Sequence, residues 1–302
     1  MKSAILFHNP SAGDETHSRN SLLFLMENEH YQCYYYSMED PHWEISHLNP
    51  DLIVIAGGDG TIRKVIHHLL MQNKTLQSVP IAIFPMGTAN NIASTLFISG
   101  TPREIIHSWK VNKTVPIQVW RCKSSDTKGL FLEGMGGGIF PALMKEMEDR
   151  QEDISDDPEK KLALAKKLLL ETVLTFPARY YSIQADGIDY SGDYIFVEAV
   201  NIRSIGPNLL LAPDTNPSDD LLDLILVPES QRGRLAECVQ ALTNGQVISP
   251  GGLTVKAHQI HIQSDERMFH VDDVPVVFSP HRSILIDPLD LSLPFVSGMK
   301  NQ

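Results

Sequence analysis

Two glycine-rich segments carry the residue types and spacing that could handle a phosphate group. One is Gly57-Gly58-Asp59-Gly60-Thr61, the other Met86-Gly87-Thr88-Ala89-Asn90-Asn91. Each follows an apolar run, at 52–56 and 81–85, and each precedes a helical pattern, at 62–70 and 92–97. Glycine at a strand end lets the backbone turn tightly and approach a ligand. The helix that follows points free N–H groups and its positive dipole end into the same space. Together these form an anion site, most often for phosphate. Asp59 would repel a bare phosphate, so its chemistry is that of a metal partner or of a group that meets a substrate hydroxyl. The plainer alternative is that Gly57, Gly58 and Gly60 only shape a tight turn, with Asp59 closing an Asx turn. Two such loops in succession favour a nucleotide site. Neither is a Walker A motif, because no lysine stands at the required spacing, and neither is Gly-x-Gly-x-x-Gly.

The elements that must position these loops alternate over the first 115 residues. Strands are expected at 4–8, 32–37, 52–56 and 81–84, and helices at 19–29, 61–71, 91–96 and 103–111. That order implies a doubly wound parallel sheet, which binds ligands outside the carboxyl ends of its strands. Near Thr114-Val115-Pro116 the pattern changes. Closely spaced strands follow at 117–122, 130–134, 179–185, 194–201, 222–227, 253–263, 268–271 and 274–278, interrupted by helical stretches at 139–175, with a loop inside, and 232–243. Such spacing reads as an antiparallel sandwich. The expected fold is therefore α/β: a doubly wound parallel sheet over residues 1–115 and an antiparallel β-sandwich over 116–281.

A chain of 302 residues can build two cores, and 42% hydrophobic with 21% charged residues is ordinary for a globular protein. No apolar run is long enough for a transmembrane helix, and the first eight residues read as a strand rather than a signal peptide. Three scattered cysteines, Cys33, Cys122 and Cys238, read as reduced thiols of a cytoplasmic protein. A formal charge of −12 argues against nucleic acid as a partner and gives no general attraction to anionic membranes. The acidic run at 146–159 reads as a solvated loop or frayed helix end. The basic amphipathic run from Lys160 to Leu170 could lie on a membrane. An ordinary helix with a core-facing leucine stripe is the favoured reading.

With Asn9-Pro10-Ser11-Ala12-Gly13 before it and Gly87-Thr88-Ala89-Asn90 after it, Gly57-Gly58-Asp59-Gly60-Thr61 resembles the diacylglycerol kinase catalytic-domain family. That family includes bacterial lipid kinases and the sphingosine and ceramide kinases, and is distantly related to NAD kinases. The resemblance runs to about residue 290. It implies an NAD kinase-like first domain, with residues 282–302 packing back on it, and a lipid-substrate domain at 116–281. The implied activity is an ATP-dependent lipid kinase acting on diacylglycerol or a related lipid, with ATP and Mg2+ as cofactors. Nucleotide contacts are implied at Asn9, Gly87, Thr88 and Asn90, beside Gly57, Gly58, Gly60 and Thr61. Asp59 matches the proposed base of sphingosine-kinase-like members, and Asp272 matches that of bacterial lipid kinases. Asp220, supported by Asp223, matches the ligand of a structural magnesium in the loop 211–223. The implied partner is a lipid at a membrane surface, met by transient association without a membrane span. Exposed edge strands leave room for a homodimer.

The chain departs from the family pattern at three places. Asn91 stands where an aspartate is usual. Leu221 replaces a glycine and would be strained if that position has positive φ. Asp272-Asp273-Val274 replaces Asp-Gly-Glu, and Val274 can bind neither proton nor metal. These departures motivate a second reading, a nucleotide- or lipid-binding pseudokinase. NAD kinase is a third, because it shares Gly-Gly-Asp-Gly-Thr. Against it, Asn9 to Gly13 has the lipid-kinase form, and no Asn-Glu pair follows the second strand–loop unit. His270 could share a strand face with Asp272 but reads as structural, and His258 and His261 fall on opposite faces, which argues against a joint metal site. The run Gly134-Met135-Gly136-Gly137-Gly138 matches a cleft-lining region of the family, or serves only close backbone packing.

Overall fold

Runs of isoleucine, valine and alanine become the central strands of the first unit because parallel strands are buried on both faces. In chain order its elements are β1 (Lys2–His8), α1 (Arg19–Asn28), β2 (Tyr31–Ser37), β3 (Leu52–Gly57), α2 (Asp59–Gln72), β4 (Ile81–Pro85), α3 (Asn91–Thr95) and α4 (Pro102–Ser108). The computed structural model describes residues 1–12, 17–40, 42–72, 74–110, 112–125, 127–150, 157–279 and 283–300. It divides the chain into a first unit, Met1–Ile117 with the chain from Ser292 onward, and a second, Gln118–Leu291.

The strands of the first unit pair in parallel in the order β2-β1-β3-β4, and the C-terminal strand joins β4 in parallel at Phe295 and Ile81. This order places a topological switch point between β1 and β3, where open α/β sheets bind ligands. Local chemistry fixes the helix starts. Ser18 caps α1 by accepting the Ser21 N–H at 3.3 Å. Thr101 and Glu104 form a capping box on α4, with Pro102 at the first helical position.

The second unit continues through β5 (Asn112–Lys123), which leads out of the first unit, β6 (Lys128–Phe131), β7 (Gly134–Gly138), α5 (Ile139–Asp149), α6 (Pro158–Thr175), β8 (Arg179–Ala185), β9 (Ile188–Asp189) and β10 (Gly192–Val200). Then follow β11 (Ser204–Ile205), β12 (Leu209–Leu210), β13 (Leu222–Pro228), α7 (Arg232–Thr243), β14 (Leu253–Ala257), β15 (Ile260–Ser264), β16 (Met268–Val271), β17 (Val274–Val277) and β18 (Ile284–Lys300), whose end returns to the first unit. Here the pairings are antiparallel: β10 with β7, β8 and β13; β13 with β14; β15 with β8; and β16 with β7 and β17. They form a β-sandwich around Trp120, Phe131, Tyr181, Val197, Leu224, Ile262 and Phe269.

One local expectation changes. The strand expected at 253–263 is two strands, because Asp186 draws the N–H groups of His258 and Gln259 out of the ladder at 3.0 and 2.8 Å. The helical stretch at 139–175 is α5 and α6, in keeping with a loop inside it; the middle of the acidic run, residues 151–156, lies outside the described residues, as do Gly13 and Arg282. The glycine run is the buried strand β7. A Cβ at Gly136 would lie 2.3 Å from the Val197 carbonyl oxygen, so β7 can lie against β10 only without side chains there.

Helix α6 buries Leu168, Leu169 and Val173 and packs on α5 and α7, while Asp157 caps its start. Lys160 and Lys167 stay exposed, each in an ion pair on its own helix. All three cysteines are free. Among the described residues no helix is long and apolar enough to cross a membrane. At the C-terminus the Gly298 N–H donates to the Leu96 carbonyl at 2.7 Å, and a Cβ at Gly298 would lie 1.8 Å from the Phe97 oxygen. Only glycine lets β18 close on that turn.

Candidate active site

Three motifs begin on one row of the parallel sheet. His8 lies opposite Ala56, and Ala56 opposite Phe84. Asn9, the first glycine loop and the second glycine loop therefore leave the sheet at the same carboxyl edge. Asn9 turns back on Ser11, whose hydroxyl donates to Asn9 Oδ1 at 2.7 Å, and Asn9 Nδ2 reaches Thr61 Oγ1 at 3.4 Å. Thr61 is buried in the first turn of α2, where its N–H donates to the Gly58 carbonyl at 2.9 Å.

The two glycine loops touch through their backbones. A Cβ on Gly58 would lie 2.8 Å from Gly87 Cα, and one on Gly87 would lie 2.4 Å from Gly58 Cα. No side chain fits at either position. Asn90 holds the second loop closed: its Oδ1 accepts the Gly87 N–H at 2.8 Å and its Nδ2 donates to the Gly87 carbonyl at 2.7 Å. Asn90 itself has φ 53°, a conformation asparagine tolerates better than most residues. Thr88 lies half-buried on the bend between Gly87 and Asn90.

Asp59 joins the loops. Its Oδ2 accepts the Asn91 N–H at 2.9 Å and its Oδ1 accepts the Ile92 N–H at 3.1 Å. These are the first-turn donors of α3, which the sequence had assigned to a phosphate; a carboxylate from the neighbouring loop fills that role instead. With both oxygens on backbone donors, Asp59 is a positioning residue. It fixes the spacing of the two glycine turns.

In the second unit, Asp272 occupies the turn between β16 and β17. It has φ 52°, so the left-handed position falls on Asp272 and not on Asp273, where the family glycine would stand. Its Oδ1 accepts the N–H groups of Leu132, Glu133 and Gly134 at 3.2, 2.8 and 3.3 Å, and its own N–H donates to the Gly134 carbonyl at 2.8 Å. Burial pushes the carboxyl up to about 6, against the three N–H groups, which favour the ionised form.

Behind this turn lies a buried pair. His270 Nδ1 meets the Asp272 carbonyl at 2.8 Å and His270 Nε2 meets Glu198 Oε2 at 2.8 Å. A carbonyl only accepts, so Nδ1 carries a proton. One further proton lies between Nε2 and the carboxylate. Burial pushes Glu198 up, opposed by His270; burial alone would lower His270, and the Glu198 carboxylate raises it overall. Glu198 is fully buried on β10, and its Oε1 has no hydrogen-bond partner among the described residues.

The loop 211–223 carries the two aspartates expected to hold magnesium. Asp220 is exposed and has φ 56°. The left-handed position is thus Asp220, and Leu221 is not strained. Asp223 Oδ2 accepts the Thr215 hydroxyl and lies 3.4 Å from Lys256 Nζ, which also meets Asp219 Oδ2 at 3.2 Å. Among the described residues no group of three or more His, Cys, Asp or Glu could hold a metal. A lysine ammonium already neutralises Asp223, so Asp223 does not fit the supporting role beside a magnesium at Asp220.

Two family models cover most of the chain. The diacylglycerol kinase catalytic domain matches residues 3–122, and the YegS C-terminal NAD kinase beta sandwich-like domain matches residues 153–291. The chain belongs to the diacylglycerol kinase catalytic-domain family. Its relatives include the "Diacylglycerol kinase" of Bacillus subtilis, 25% identical over 287 residues, covering 89% of this chain and 88% of that one. The "Probable lipid kinase YegS-like" protein of Shewanella frigidimarina is 25% identical over 179 residues, 59% of this chain and 55% of the relative, so the match spans just over half of that protein. A crystal structure of a diacylglycerol kinase from Bacillus anthracis shares the fold, with a TM-score of 0.71 at 18% identity over 98% of this chain and 97% of that one. An NAD kinase from Archaeoglobus fulgidus in complex with ATP superposes at 0.51 and 14% identity over 98% and 94% of the chains. These relatives make the family one of lipid kinases.

Within this family the sequence reading missed Glu198, Asp219 and Lys256. Each sits opposite a residue far away in the chain: Glu198 faces His270, and Lys256 is in register with Asp223. The one signal for Glu198 was an acid inside the apolar run Tyr194-Ile195-Phe196-Val197-Glu198-Ala199-Val200. Buried acids need a partner, and that alone announces one.

Proposed function

We propose that the protein is an ATP-dependent lipid kinase that transfers the γ-phosphate to a hydroxyl of diacylglycerol or a related lipid. The observation that carries this reading is the interlock of Gly58 with Gly87, tied by Asp59. Phosphoryl transfer needs positioned donors around the phosphates more than covalent chemistry. The backbone of Gly57, Gly58 and Gly60 and the turn Gly87 to Asn90 supply that cradle for the nucleotide, with Asn9 and Thr61 beside it. Magnesium would arrive with the nucleotide and neutralise charge on its phosphates.

Asp272 is the base in this reading. The lipid hydroxyl oxygen attacks the γ-phosphorus, the bond to the bridging β–γ oxygen breaks, ADP leaves, and the hydroxyl proton passes to the Asp272 carboxylate. An acid whose burial has raised it to about 6 is ionised at neutral pH yet a better base than an exposed aspartate. Val274 leaves Asp272 without the second acid of the family triplet; Asp273 stands beside it and the His270–Glu198 pair behind it. The acceptor is met at a membrane surface, without a membrane span.

The test is transfer of labelled γ-phosphate from ATP to a total lipid extract, with and without Mg2+, beside Asp272→Asn. A labelled lipid that disappears in Asp272→Asn while nucleotide binding persists supports the assignment. Nucleotide binding with no labelled product would favour the pseudokinase reading that Val274 motivates. Conversion of NAD to NADP would replace the lipid by a dinucleotide.

A further inference from the structure

The loop before β13 carries a cation that belongs to the chain. Lys256 stands directly opposite Asp223 in the β13–β14 ladder, so the antiparallel register fixes its position. Its ammonium lies 3.4 Å from Asp223 Oδ2 and 3.2 Å from Asp219 Oδ2. The Asp223 side chain is 8% exposed and that of Lys256 41%, so the pair sits at the sheet surface with its acidic end inside. Asp219 also accepts the Leu221 N–H at 3.2 Å, which places its carboxylate inside the loop. Thr215 donates its hydroxyl to Asp223 from the other end of the same loop. One ammonium and two carboxylates thus tie both ends of the segment 215–223 to β14.

We infer that Lys256 is the resident cation of this loop and that the loop is ordered without a divalent metal. Mg2+ demands near-ideal octahedral oxygen ligands at about 2.0–2.1 Å. An ammonium on Asp219 and Asp223 occupies two of the loop's carboxylates and sets a like charge beside any metal that Asp220 could meet. Burial disfavours the charged lysine, and Asp223 and Asp219 more than offset it, so its pKa is raised. The inference concerns the second unit alone and does not rest on kinase activity.

The full chain is melted in EDTA and in millimolar Mg2+, alongside Lys256→Met, Lys256→Arg and Asp223→Asn. The expected result is an unsubstituted protein whose Tm is the same in both solutions. Lys256→Met melts lower by about 4–10 °C, and Lys256→Arg keeps most of the Tm. A Tm that rises with Mg2+ in the unsubstituted protein, and no longer rises in Asp223→Asn, would overturn the inference. So would a Lys256→Met protein that melts with the unsubstituted one. The response of the unsubstituted protein to Mg2+ decides the matter even if Lys256→Met fails to fold.

Discussion

The carboxylate of Asp59 receives the backbone N–H of Asn91 at 2.9 Å, across 32 residues of sequence. One glycine loop therefore caps the helix of the other. Asp59→Ala leaves the first-turn donors of α3 without their acceptor, at a cost of about 0.5–2 kcal/mol. It also frees the loops to separate, so nucleotide affinity falls at least about tenfold. Urea unfolding and an ATP titration on the same variant check both effects. A variant that loses stability but binds ATP normally would remove Asp59 from the site.

The touching glycines give a sharper contrast. Gly58→Ala and Gly87→Ala each force a Cβ to within 3 Å of the opposite backbone, an overpacking of about 1–3 kcal/mol with loss of nucleotide binding. Gly233 lies in α7 with nothing within 4 Å of a Cβ. Gly233→Ala stabilises by about 0.5–1 kcal/mol, because glycine is the weaker helix former. Thermal melts of the three variants decide the order.

Asp272 sets a pH window. Its folded carboxyl titrates at about 6, above the usual aspartate value of about 3.9 in the unfolded chain. Between those values the folded state holds a proton that the unfolded state has lost. Its contribution to stability is present below the window and declines as pH rises to about 6. Unfolding free energies at a series of pH values show this slope, and Asp272→Asn removes it. The same ionisation makes lipid phosphorylation rise with an apparent pKa near 6.

The His270–Glu198 pair is predicted to be asymmetric under mutation. His270→Ala strips Glu198 of its described partner and leaves a fully buried carboxylate, costing about 3–5 kcal/mol. Glu198→Gln keeps a group that can donate to Nε2 of a neutral imidazole, and its loss is smaller. Denaturant titration of both variants checks the order; equal losses would mean that shape, not charge, holds the Asp272 turn.

The first unit was legible because its chemistry is local. A strand, a glycine turn and a helix follow one another within a dozen residues, and parallel strands leave all such turns on one edge. The second unit was legible as strands but not as contacts. Nothing near Lys256 in the sequence names Asp223, and nothing near His270 names Glu198; antiparallel register decides both. Leu221 looked strained because the glycine of the family motif was assumed to carry the positive φ, whereas Asp220 carries it. The capping role of Asp59 was not legible because the donors it accepts from, the N–H groups of Asn91 and Ile92, lie in another loop.

β18 gives the chain an unusual order of completion. Among the described residues the outer edge of β4 is covered by the strand that contains Phe295, and Gly298 closes on the turn at Leu96 and Phe97. Domains generally fold from the N-terminus as the ribosome releases them. Here all of Gln118–Leu291 is synthesised before the strand that finishes the first unit. The nascent chain thus carries a half-built nucleotide domain with the β4 edge open as well as that of β2 while the β-sandwich assembles, and a ribosome stalled before residue 295 would hold a chain exposed to aggregation or to a chaperone.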